Sequence, residues 1–450
     1  MNTPHYLSRR KFFGNMLGGV LAAGLAPQFI SSRLLASATA PSNKIQLGHI
    51  GLGSMGMTDL RTYLAQTSDI AASVALCDPF KSRREAGAGF VSTGQPGNQP
   101  KLYTDFRELL ADKSIDAVVV ATPDHWHVPI GLAAVRAGKH VNIQKPLGMS
   151  LNQNKAMFDA CKKHDRIFHY GTQQRSMELC KRGVELVLNG YIGDLQHVDV
   201  WAPQGGGGGS LAEIPVPEGL DYELYIGPAP MKPCSTDRLT NKGSWFCSDY
   251  SIGFIAGWGA HPLDIAVWGM NADLAGPYSI KATGNAPTPD ALYNNIATWQ
   301  AELKFANGVT MDFTSTGLAK NAARYWPDDS KPPSNGTTFV GSKGWVSIAR
   351  GALSTSNPEW RLLRQCEGNR RVRYHNKFFR AFVEAVRDGT PSVAPIEDAI
   401  RSDAMSHLSL LSIQTGQTIQ WDQKKYELVG ASPELKARMD VPVRGDWMKV

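Results

Sequence analysis

The first part of the chain alternates short apolar runs with segments of helical spacing. Four runs have the length of buried strands: Ile45–Ile50, 70–77, 116–122 and His140–Ile143. Helical spacing is found in three segments between them: Leu60 with Tyr63 and Leu64, 101–112, and 130–137. The run at 116–122 is continuously apolar and β-branched, as in strands covered on both faces. The succession predicts a doubly wound α/β domain, a parallel sheet with helices on both faces.

Beyond about residue 170 the pattern changes to longer stretches in which apolar and polar residues alternate. These stretches predict strands with one buried face: 195–201, 278–284, Thr298–Phe305, 309–315, 337–340 and 345–348. Asn307-Gly308 separates two of them and is a strong hairpin signal, because both positions tolerate positive φ. Helical spacing then predicts two closing helices, over 378–386 and 400–411. We therefore expect a first domain over 41–170 and a second, α+β domain over 171–450 with a large, mostly antiparallel sheet.

Length and composition agree with two globular domains. At 450 residues the chain exceeds the size at which one hydrophobic core keeps growing, and its 42% hydrophobic and 19% charged residues are ordinary for a globular protein. The formal charge of +7 is unevenly distributed, since residues 1–40 contain four basic residues and no acid. The remaining excess is small and no basic run interleaved with aromatics accompanies it, which argues against a nucleic-acid partner.

Residues 1–40 have the pattern of an export signal. Arg9-Arg10 precedes a glycine- and alanine-rich apolar run of about 15 residues, which is shorter than the roughly 20 needed to span a bilayer. Residues 36–38 and 38–40 offer small-residue cleavage sites. We expect twin-arginine export of the folded, cofactor-loaded protein to the periplasm, with a basic, unstructured tail as the alternative. No later segment has the length and hydrophobicity to span a membrane.

Two further features leave alternatives open. The six cysteines show neither a C-x-x-C motif nor a metal-like spacing with histidine, so no metal site is expected, while a Cys234–Cys247 disulfide stays an open alternative in an oxidising compartment. Five consecutive glycines at 205–209 form either an inert linker or a mobile flap over a site.

A glycine motif follows the first predicted strand and precedes the first helix. In Gly51-Leu52-Gly53-Ser54-Met55-Gly56, the glycines permit a tight turn, close approach of a pyrophosphate and close helix–strand packing, and the helix N-terminus offers amide donors to phosphates. Asp78 lies 22 residues after Gly56, where a carboxylate accepts hydrogen bonds from the adenosine ribose and repels a 2′-phosphate. NAD is therefore the expected cofactor. NADP stays open because of three nearby basic residues, Lys81, Arg83 and Arg84.

Polar residues also follow two later strands of the predicted parallel sheet. Thr122-Pro123-Asp124-His125-Trp126-His127 lies at the carboxyl end of the strand over 116–122, the edge where such sheets bind ligands. Gln144-Lys145-Pro146 follows the next strand, and a lysine there is placed to hydrogen-bond a substrate hydroxyl and ease its deprotonation. Taken alone, each segment is also consistent with an ordinary loop.

With the segment Gly257-Trp258-Gly259-Ala260-His261-Pro262-Leu263-Asp264 added, these motifs resemble those of the Gfo/Idh/MocA oxidoreductases, the family of glucose–fructose oxidoreductase and inositol dehydrogenase. The resemblance covers residues 44 to about 420 and is greatest for an exported, sugar-directed branch. It implies a Rossmann domain joined to an α/β domain whose open sheet supports a homo-oligomer, a dimer or a tetramer. The motifs do not specify a substrate.

The resemblance also assigns site residues by position. Lys145 and His261 would be catalytic, with His261 as acid/base at a sugar or polyol hydroxyl. Asp264 would orient His261 or touch the substrate, or else cap the helix that follows. The implied cofactor contacts are Gly51, Gly53, Ser54, Met55, Gly56, Asp78, Thr122, Pro123, Asp124, Trp126, His127, Gln144, Lys145 and Gln173. From the residues alone, a histidine in a Gly-Trp-Gly-Ala-His loop is equally a packing or capping residue.

Two departures from the family pattern reduce the charge expected at the site. Gln144 stands where the family has a glutamate before the lysine, and Gly257 stands where it often has an aspartate. Three tryptophans, Trp126, Trp245 and Trp258, either stack on sugar faces or belong to the core.

The motifs together indicate a nicotinamide-dependent oxidoreductase that acts on a hydroxyl carbon of a sugar, polyol or glycoside. We expect a tightly held cofactor, because the periplasm supplies little free NAD. Two alternatives stay open. One is an NAD-dependent glycosidase or lyase that oxidises the sugar transiently without net redox, and the other is a non-catalytic sugar-binding protein, which the two departures make plausible.

Overall fold

The computed structural model describes residues 44–270, 276–286, 290–326 and 332–449. The predicted export segment, residues 1–40, lies outside these ranges. The part from Lys44 to Val450 forms one compact unit. Among the helices found in the described ranges, none combines the length and the apolar character that a membrane span requires.

The first sheet is parallel and carries the ligand-binding edge. Its strands are β1 Ile45–Ile50, β2 Ala71–Cys77, β3 Lys101–Tyr103, β4 Ala117–Val120, β5 His140–Ile143 and β6 Phe168–Tyr170. They are ordered β3-β2-β1-β4-β5-β6, and every neighbouring pair is parallel. This is the Rossmann order, in which the direction of winding reverses between β1 and β4. The loops that follow β1 and β4 therefore diverge and leave a crevice at that point.

Helices connect these strands. They are α1 Ser54–Thr67, α2 Lys81–Gly94, α3 Phe106–Ala111, α4 Asp124–Arg136 and α5 Leu151–His164. Helix α1 buries Leu60, Tyr63 and Leu64, as their spacing predicted. The helical run predicted over 101–112 is wrong in its first part, because β3 pairs with the edge of β2 and the helix begins only after the Asp105 cap.

The second sheet has nine strands and is antiparallel except at one pair. Its strands are β7 Leu195–Ala202, β8 Tyr278–Asn285, β9 Thr298–Phe305, β10 Thr310–Ser315, β11 Gly336–Gly341, β12 Gly344–Ala349, β13 Ala352–Thr355, β14 Ile419–Asp422 and β15 Glu427–Leu428. Their order is β13-β12-β11-β7-β10-β9-β8-β14-β15, with β7 and β10 parallel. The predicted mostly antiparallel sheet is confirmed. The predicted turn is also confirmed, since Gly308 has a φ of 88° between the antiparallel β9 and β10.

Nine further helices follow the first domain in the described part of the chain. They are α6 Glu178–Leu188, α7 Tyr222–Ile226, α8 Asn241–Phe246, α9 Phe254–Gly257, α10 Ala260–Met270, α11 Pro358–Leu362, α12 Phe378–Asp388, α13 Ile396–Thr415 and α14 Pro433–Ala437. Helices α6, α10 and α13 pack against one face of the sheet, and every residue of α10 is buried. On the opposite face, Gln300, Glu302 and Lys304 of β9 are exposed, whereas Asp199 and Trp201 of β7 are buried.

All six cysteines are buried and unbonded, so the structure does not contain a Cys234–Cys247 disulfide. The five-glycine segment is attached to the second sheet. The amide of Gly205 donates to the carbonyl of Ala297 at 2.7 Å, and the carbonyl of Gly208 accepts from the amide of Tyr293 at 2.9 Å. These bonds favour the linker over the flap.

Candidate active site

A cavity of about 400 Å³ lies at the carboxyl ends of the parallel strands and is closed by segments of the second domain. Most of the residues predicted for the site line it: Gly51, Gly53, Ser54, Met55, Asp78, Thr122, Pro123, Asp124, Trp126, His127, Gln144, Lys145, Gln173 and His261. Gly56 and Asp264 do not line it. The structure thus gathers into one cavity residues that are up to 210 positions apart, from Gly51 to His261.

The turn after β1 is shaped for a pyrophosphate. Gly51 has a φ of 87°, and a Cβ atom on Gly56 would lie 1.9 Å from the carbonyl oxygen of Gly51. Any side chain at Gly56 would therefore push α1 away from the turn. Helix α1 begins at Ser54 without a side-chain cap, which leaves its first amides available to an anion. These features fit the phosphates of a dinucleotide.

Asp78 is fixed at the other end of this turn. Its two carboxylate oxygens accept hydrogen bonds from the amides of Leu52 at 2.7 Å and Phe80 at 2.8 Å. Burial raises the pKa of Asp78, while Arg83, 3.9 Å away, and the two amides oppose this shift. Arg83 also lines the cavity, so Asp78 and Arg83 together face the position expected for the adenosine ribose.

Two of the basic residues that left NADP open have other contacts. Lys81 pairs with Glu85 at 3.8 Å, and Arg84 donates to the backbone carbonyl of Asp78 at 2.5 Å. Neither of them lines the cavity. The arrangement favours NAD over NADP.

Lys145 follows β5 and lies in a buried group of charged side chains. Burial lowers the pKa of Lys145, and the nearby carboxyl of Asp124 opposes the shift. Burial in turn raises the pKa of Asp124 well above its ordinary value, with Lys145 again in opposition. The charges of these two cavity residues are therefore coupled. Gain or loss of a proton by one of them changes the proton affinity of the other.

Gln144 contacts a carboxyl that the sequence motifs did not single out. Its amide nitrogen Nε2 donates to Oδ2 of Asp59 at 2.7 Å in the interior. Burial raises the pKa of Asp59 to about 7, and Gln144 and the charge of Lys145 lower it in part. Gln144 itself has no charge, as expected, but it contacts Asp59, and the carboxyl of Asp59 raises the pKa of Lys145. The expected loss of a carboxyl near Lys145 is therefore only partial.

His261 is the second residue of α10 and is 4% exposed. Its Nδ1 atom has no hydrogen-bond partner among the described residues. Burial, followed by the charges of Lys145 and Arg350, lowers the pKa of His261 well below 6.5. The imidazole is therefore neutral at neutral pH and is able to accept a proton.

Asp264 has a charged partner in the interior. Arg175 donates from Nε and Nη2 to the two carboxylate oxygens of Asp264, at 2.7 and 2.8 Å, and from Nη1 to Asp398 at 2.8 Å. Asp264 does not line the cavity. These contacts favour a structural role, and a catalytic role of Asp264 stays a prediction.

His127 lies between two of the predicted site loops. Its Nδ1 lies 2.6 Å from the carbonyl of Pro146 and its Nε2 lies 2.9 Å from the carbonyl of Thr122. Burial lowers the pKa of His127 to about 4. Because a neutral imidazole carries one N–H, it donates to only one of these two carbonyls at a time, and this hydrogen bond links α4 either to the loop after β4 or to the loop that contains Lys145.

The three tryptophans differ in role. Trp126 is buried and its Nε1 donates to the carbonyl of Leu224 at 3.0 Å, so it is mainly a core residue at the cavity wall. Trp245 and Trp258 line the cavity, and Trp245 is 43% exposed. Arg350 also lines the cavity and lies over the ring of Trp258, 5.0 Å from its centroid. No sequence pattern pointed to Arg350, because it comes from a hairpin turn far from every motif.

Two family models match this chain. One, described as the NAD-binding Rossmann fold of an oxidoreductase family with the model name GFO_IDH_MocA, matches residues 45–172, and a second, described as the C-terminal alpha/beta domain of that family, matches residues 192–329. The two matched stretches together cover more than half of the chain.

Individual relatives are more distant. A protein named glycosyl hydrolase family 109 protein, from Shewanella putrefaciens, is 24% identical over 219 residues, which is 43% of this chain and 45% of the relative. The matched stretch thus spans less than half the length of that relative.

Two solved structures share the fold. The aldose-aldose oxidoreductase of Caulobacter crescentus, solved with glycerol, has a TM-score of 0.58 and 19% identity, over 84% of this chain and 99% of that one. The WlbA dehydrogenase of Bordetella pertussis, solved with NADH and UDP-GlcNAcA, has a TM-score of 0.58 and 18% identity, over 83% of this chain and 98% of that one. With its NAD-binding Rossmann domain and its C-terminal α/β domain, the chain belongs to the Gfo/Idh/MocA oxidoreductase family.

Proposed function

We propose that this protein is an NAD-dependent oxidoreductase that acts on a hydroxyl-bearing carbon of a sugar, polyol or glycoside. The observation that supports it most directly is the shared cavity, in which the glycine turn at Gly51, the amine of Lys145 and the imidazole of His261 meet. A cavity of about 400 Å³ is within the range of sites for small molecules and cofactors.

The chemistry assigned to the protein is proton transfer. A nicotinamide bound in this cavity supplies the hydride acceptor or donor. His261, neutral because of burial and the neighbouring cations, accepts the proton of the substrate hydroxyl. Lys145 donates a hydrogen bond to the same oxygen and stabilises the negative charge that develops there. In the reverse direction His261 returns the proton.

We further propose that the cofactor stays bound between turnovers and that the protein works in the periplasm as a homo-oligomer. Support for cofactor retention comes from residues of α7, α8 and α9, which line the cavity together with the glycine turn. The exposed residues of β9 offer a surface for a second subunit. Export rests on the Arg9-Arg10 segment alone.

A second candidate function is glycoside cleavage without net redox. It is favoured by the Shewanella putrefaciens relative, whose name is that of a glycosyl hydrolase family. In this reaction a hydroxyl-bearing carbon of the sugar is oxidised, and the aglycone is then eliminated, with loss of the proton from the intervening carbon and protonation of the aglycone. Water adds to the resulting double bond, and the hydride is returned to the sugar. The same two residues serve it, because both reactions begin by taking a proton from a sugar hydroxyl.

One experiment separates these functions. Protein purified from its native host is analysed for bound nicotinamide by absorbance and mass spectrometry, and is then given aldoses, polyols and chromogenic glycosides. Accumulation of reduced nicotinamide supports the oxidoreductase, as does reduction of a second sugar by the bound cofactor. Release of aglycone without net reduction of nicotinamide supports the glycosidase. We expect His261→Asn and Lys145→Met to lower kcat about 10²- to 10⁴-fold with cofactor still bound. Matched controls on an outer helix are His164→Asn and Lys155→Met.

Absence of turnover on all three substrate classes by protein that retains nicotinamide overturns both catalytic proposals. Absence of bound nicotinamide in the native protein overturns the proposed cofactor retention.

A further inference from the structure

Arg350 enters the cavity from the turn between β12 and β13. Ala349 and Ala352 are paired across this hairpin, so Arg350 and Gly351 form a two-residue turn. Gly351, the second residue of the turn, has a φ of 75°, which glycine adopts without steric strain. Both strands belong to the nine-stranded sheet. The guanidinium is therefore presented by a fixed element of the second domain.

The turn places Arg350 at the reacting end of the cavity. Its guanidinium carbon lies 5.0 Å from the centroid of the Trp258 ring, and that ring is 5.6 Å from the ring of His261. The charge of Arg350 contributes to the lowered pKa values of both His261 and Lys145. Arg350 is thus a neighbour of the proposed catalytic pair and not of the Asp78 end, where the adenosine is expected.

The other cations of the cavity have acidic partners, and Arg350 does not. Lys145 is balanced by Asp124, and Arg83 lies 3.9 Å from Asp78. No carboxylate among the described residues forms an ion pair with Arg350, which is an exposed residue and lines the cavity. Its positive charge is therefore accessible to a ligand and is not neutralised by an acid of the protein.

We propose that Arg350 selects substrates that carry a carboxylate, so that the sugar bound beside His261 is a uronic acid or a uronoside. This inference rests on the proposed function and specifies its substrate class. The guanidinium is a planar fork that matches a carboxylate through two parallel hydrogen bonds. The guanidinium also lies over the Trp258 ring, and this cation–π contact favours its position at this wall of the cavity. Trp245 and Phe254, which also line the cavity, provide apolar surface for the sugar ring.

The test compares three ligands that differ only at C6. Methyl β-D-glucuronide, its methyl ester and methyl β-D-glucoside are titrated by calorimetry into cofactor-loaded protein, and the galacto series is measured in the same way. We expect the two acids to bind about tenfold or more tightly than their esters, because the ester keeps the shape and loses the charge. Arg350→Gln should abolish this preference, and Arg350→Lys should retain only part of it, since an amine lacks the fork.

Arg361→Gln is the matched control, because Arg361 is exposed on α11 and does not line the cavity. It should leave the preference unchanged. Equal affinity of the wild-type protein for acid and ester overturns the inference, as does a preference that survives in Arg350→Gln. If only neutral sugars are turned over, the proposed selectivity for a carboxylate is wrong, and the proposed oxidoreductase function stands. Absence of turnover on every sugar, acidic or neutral, rejects the proposed function itself.

Discussion

Lys145 and His261 come from different domains, and burial makes the charged form of each less favourable. For His261 this keeps the imidazole neutral with a free lone pair, and it also makes the imidazole a weaker base. For Lys145 the nearby Asp124 preserves part of the positive charge. Asp59, which accepts a hydrogen bond from the amide of Gln144, also raises the pKa of Lys145. The proton affinities at the site are thus set by burial and by the charges of neighbouring side chains.

The Gln144–Asp59 contact yields a pH-dependent prediction. Gln144→Glu places a second carboxyl against Asp59, whose pKa is already about 7, and the two then share one proton. The folded protein keeps this proton at pH values where the unfolded chain, with carboxyl pKa values of about 4, has released it. The free energy of unfolding of the variant therefore falls as pH rises from about 4 toward 7 and beyond. We expect its melting temperature to be near that of the wild type at pH 5 and several degrees lower at pH 8.

The control for this variant is the double exchange Asp59→Asn with Gln144→Glu. It moves the carboxyl from position 59 to position 144 and keeps one amide and one acid at the contact. The melting temperature at pH 8 should recover, and turnover should exceed that of Asp59→Asn alone. A loss of stability in Gln144→Glu that is the same at pH 5 and pH 8 would contradict the shared proton.

At the scale of secondary structure, the junction of β1 and α1 depends on close approach. Gly56→Ala places a Cβ atom 1.9 Å from the carbonyl oxygen of Gly51, which belongs to the backbone and has no rotamer to change. We expect this variant to lose bound nicotinamide and to melt at a lower temperature, by several degrees. Gly89→Ala is the control in the neighbouring helix α2, where no atom lies within 4 Å of the new Cβ.

Gly89→Ala should stabilise the protein by about 0.5–1 kcal/mol, because alanine is the better helix former. Thermal denaturation and nicotinamide content are measured for both variants. Retention of the cofactor by Gly56→Ala at the wild-type level would show that the turn does not hold the phosphates.

Arg175 joins three elements of the second domain. It lies in the short 3-10 helix Gln173–Ser176 and binds Asp264 of α10 and Asp398 of α13. Arg175→Met leaves the buried Asp264 without a counter-ion, whereas Asp398 keeps Arg401 at 3.7 Å. We expect a loss of about 3–5 kcal/mol in the free energy of unfolding, measured by denaturant titration. Asp264→Asn keeps one acceptor and should lose less, about 1–3 kcal/mol.

Asp264→Asn also tests whether Asp264 has a structural or a catalytic role. If this variant keeps its stability and its cofactor but loses turnover, then Asp264 is catalytic after all. A loss of stability with kcat nearly unchanged agrees with a structural ion pair.

Much of the fold was predictable from the sequence, because its longer elements carry their own periodicity. The bounds predicted for β1, β5 and β9 agree with the observed strands to the residue. Strands β3, β6, β13, β14 and β15 were not predicted, since segments of two to four residues carry little pattern of their own. Their pairing is determined by the free edge of the neighbouring strand.

The same distinction applies to the site. The glycine turn, the segment after β4 and the Lys145 loop are contiguous motifs, so sequence alone identified them. Asp59 and Arg350 are isolated residues brought in by α1 and by a hairpin turn, and Arg175 takes the carboxylate that the motif assigned to catalysis. Such contacts depend on tertiary packing and have no local signature.

At the scale of the whole molecule, the C-terminal segment returns to the first domain and closes the structure around the cavity. The carbonyl of Met439 accepts from the amide of Asn152 at 2.9 Å, and Arg444 pairs with Glu223 of α7. The ring of Trp447 packs edge-on against Trp126, with 5.0 Å between ring centroids. Trp126 in turn donates to α7 and lines the cavity. The last residues thus support the wall of the cofactor site from outside.

This arrangement predicts that a change outside the cavity alters cofactor retention. Trp447→Ala removes a partly buried ring and should cost about 1–3 kcal/mol in stability. Because Trp126 loses its support, bound nicotinamide should also be lost faster during dialysis. Trp360→Ala is the matched control, since Trp360 is a partly buried tryptophan of α11 that packs on Tyr191 and does not line the cavity. It should lower the melting temperature to a similar extent with retention unchanged. Equal retention in the two variants would mean that the C-terminal segment stabilises the fold without acting on the site.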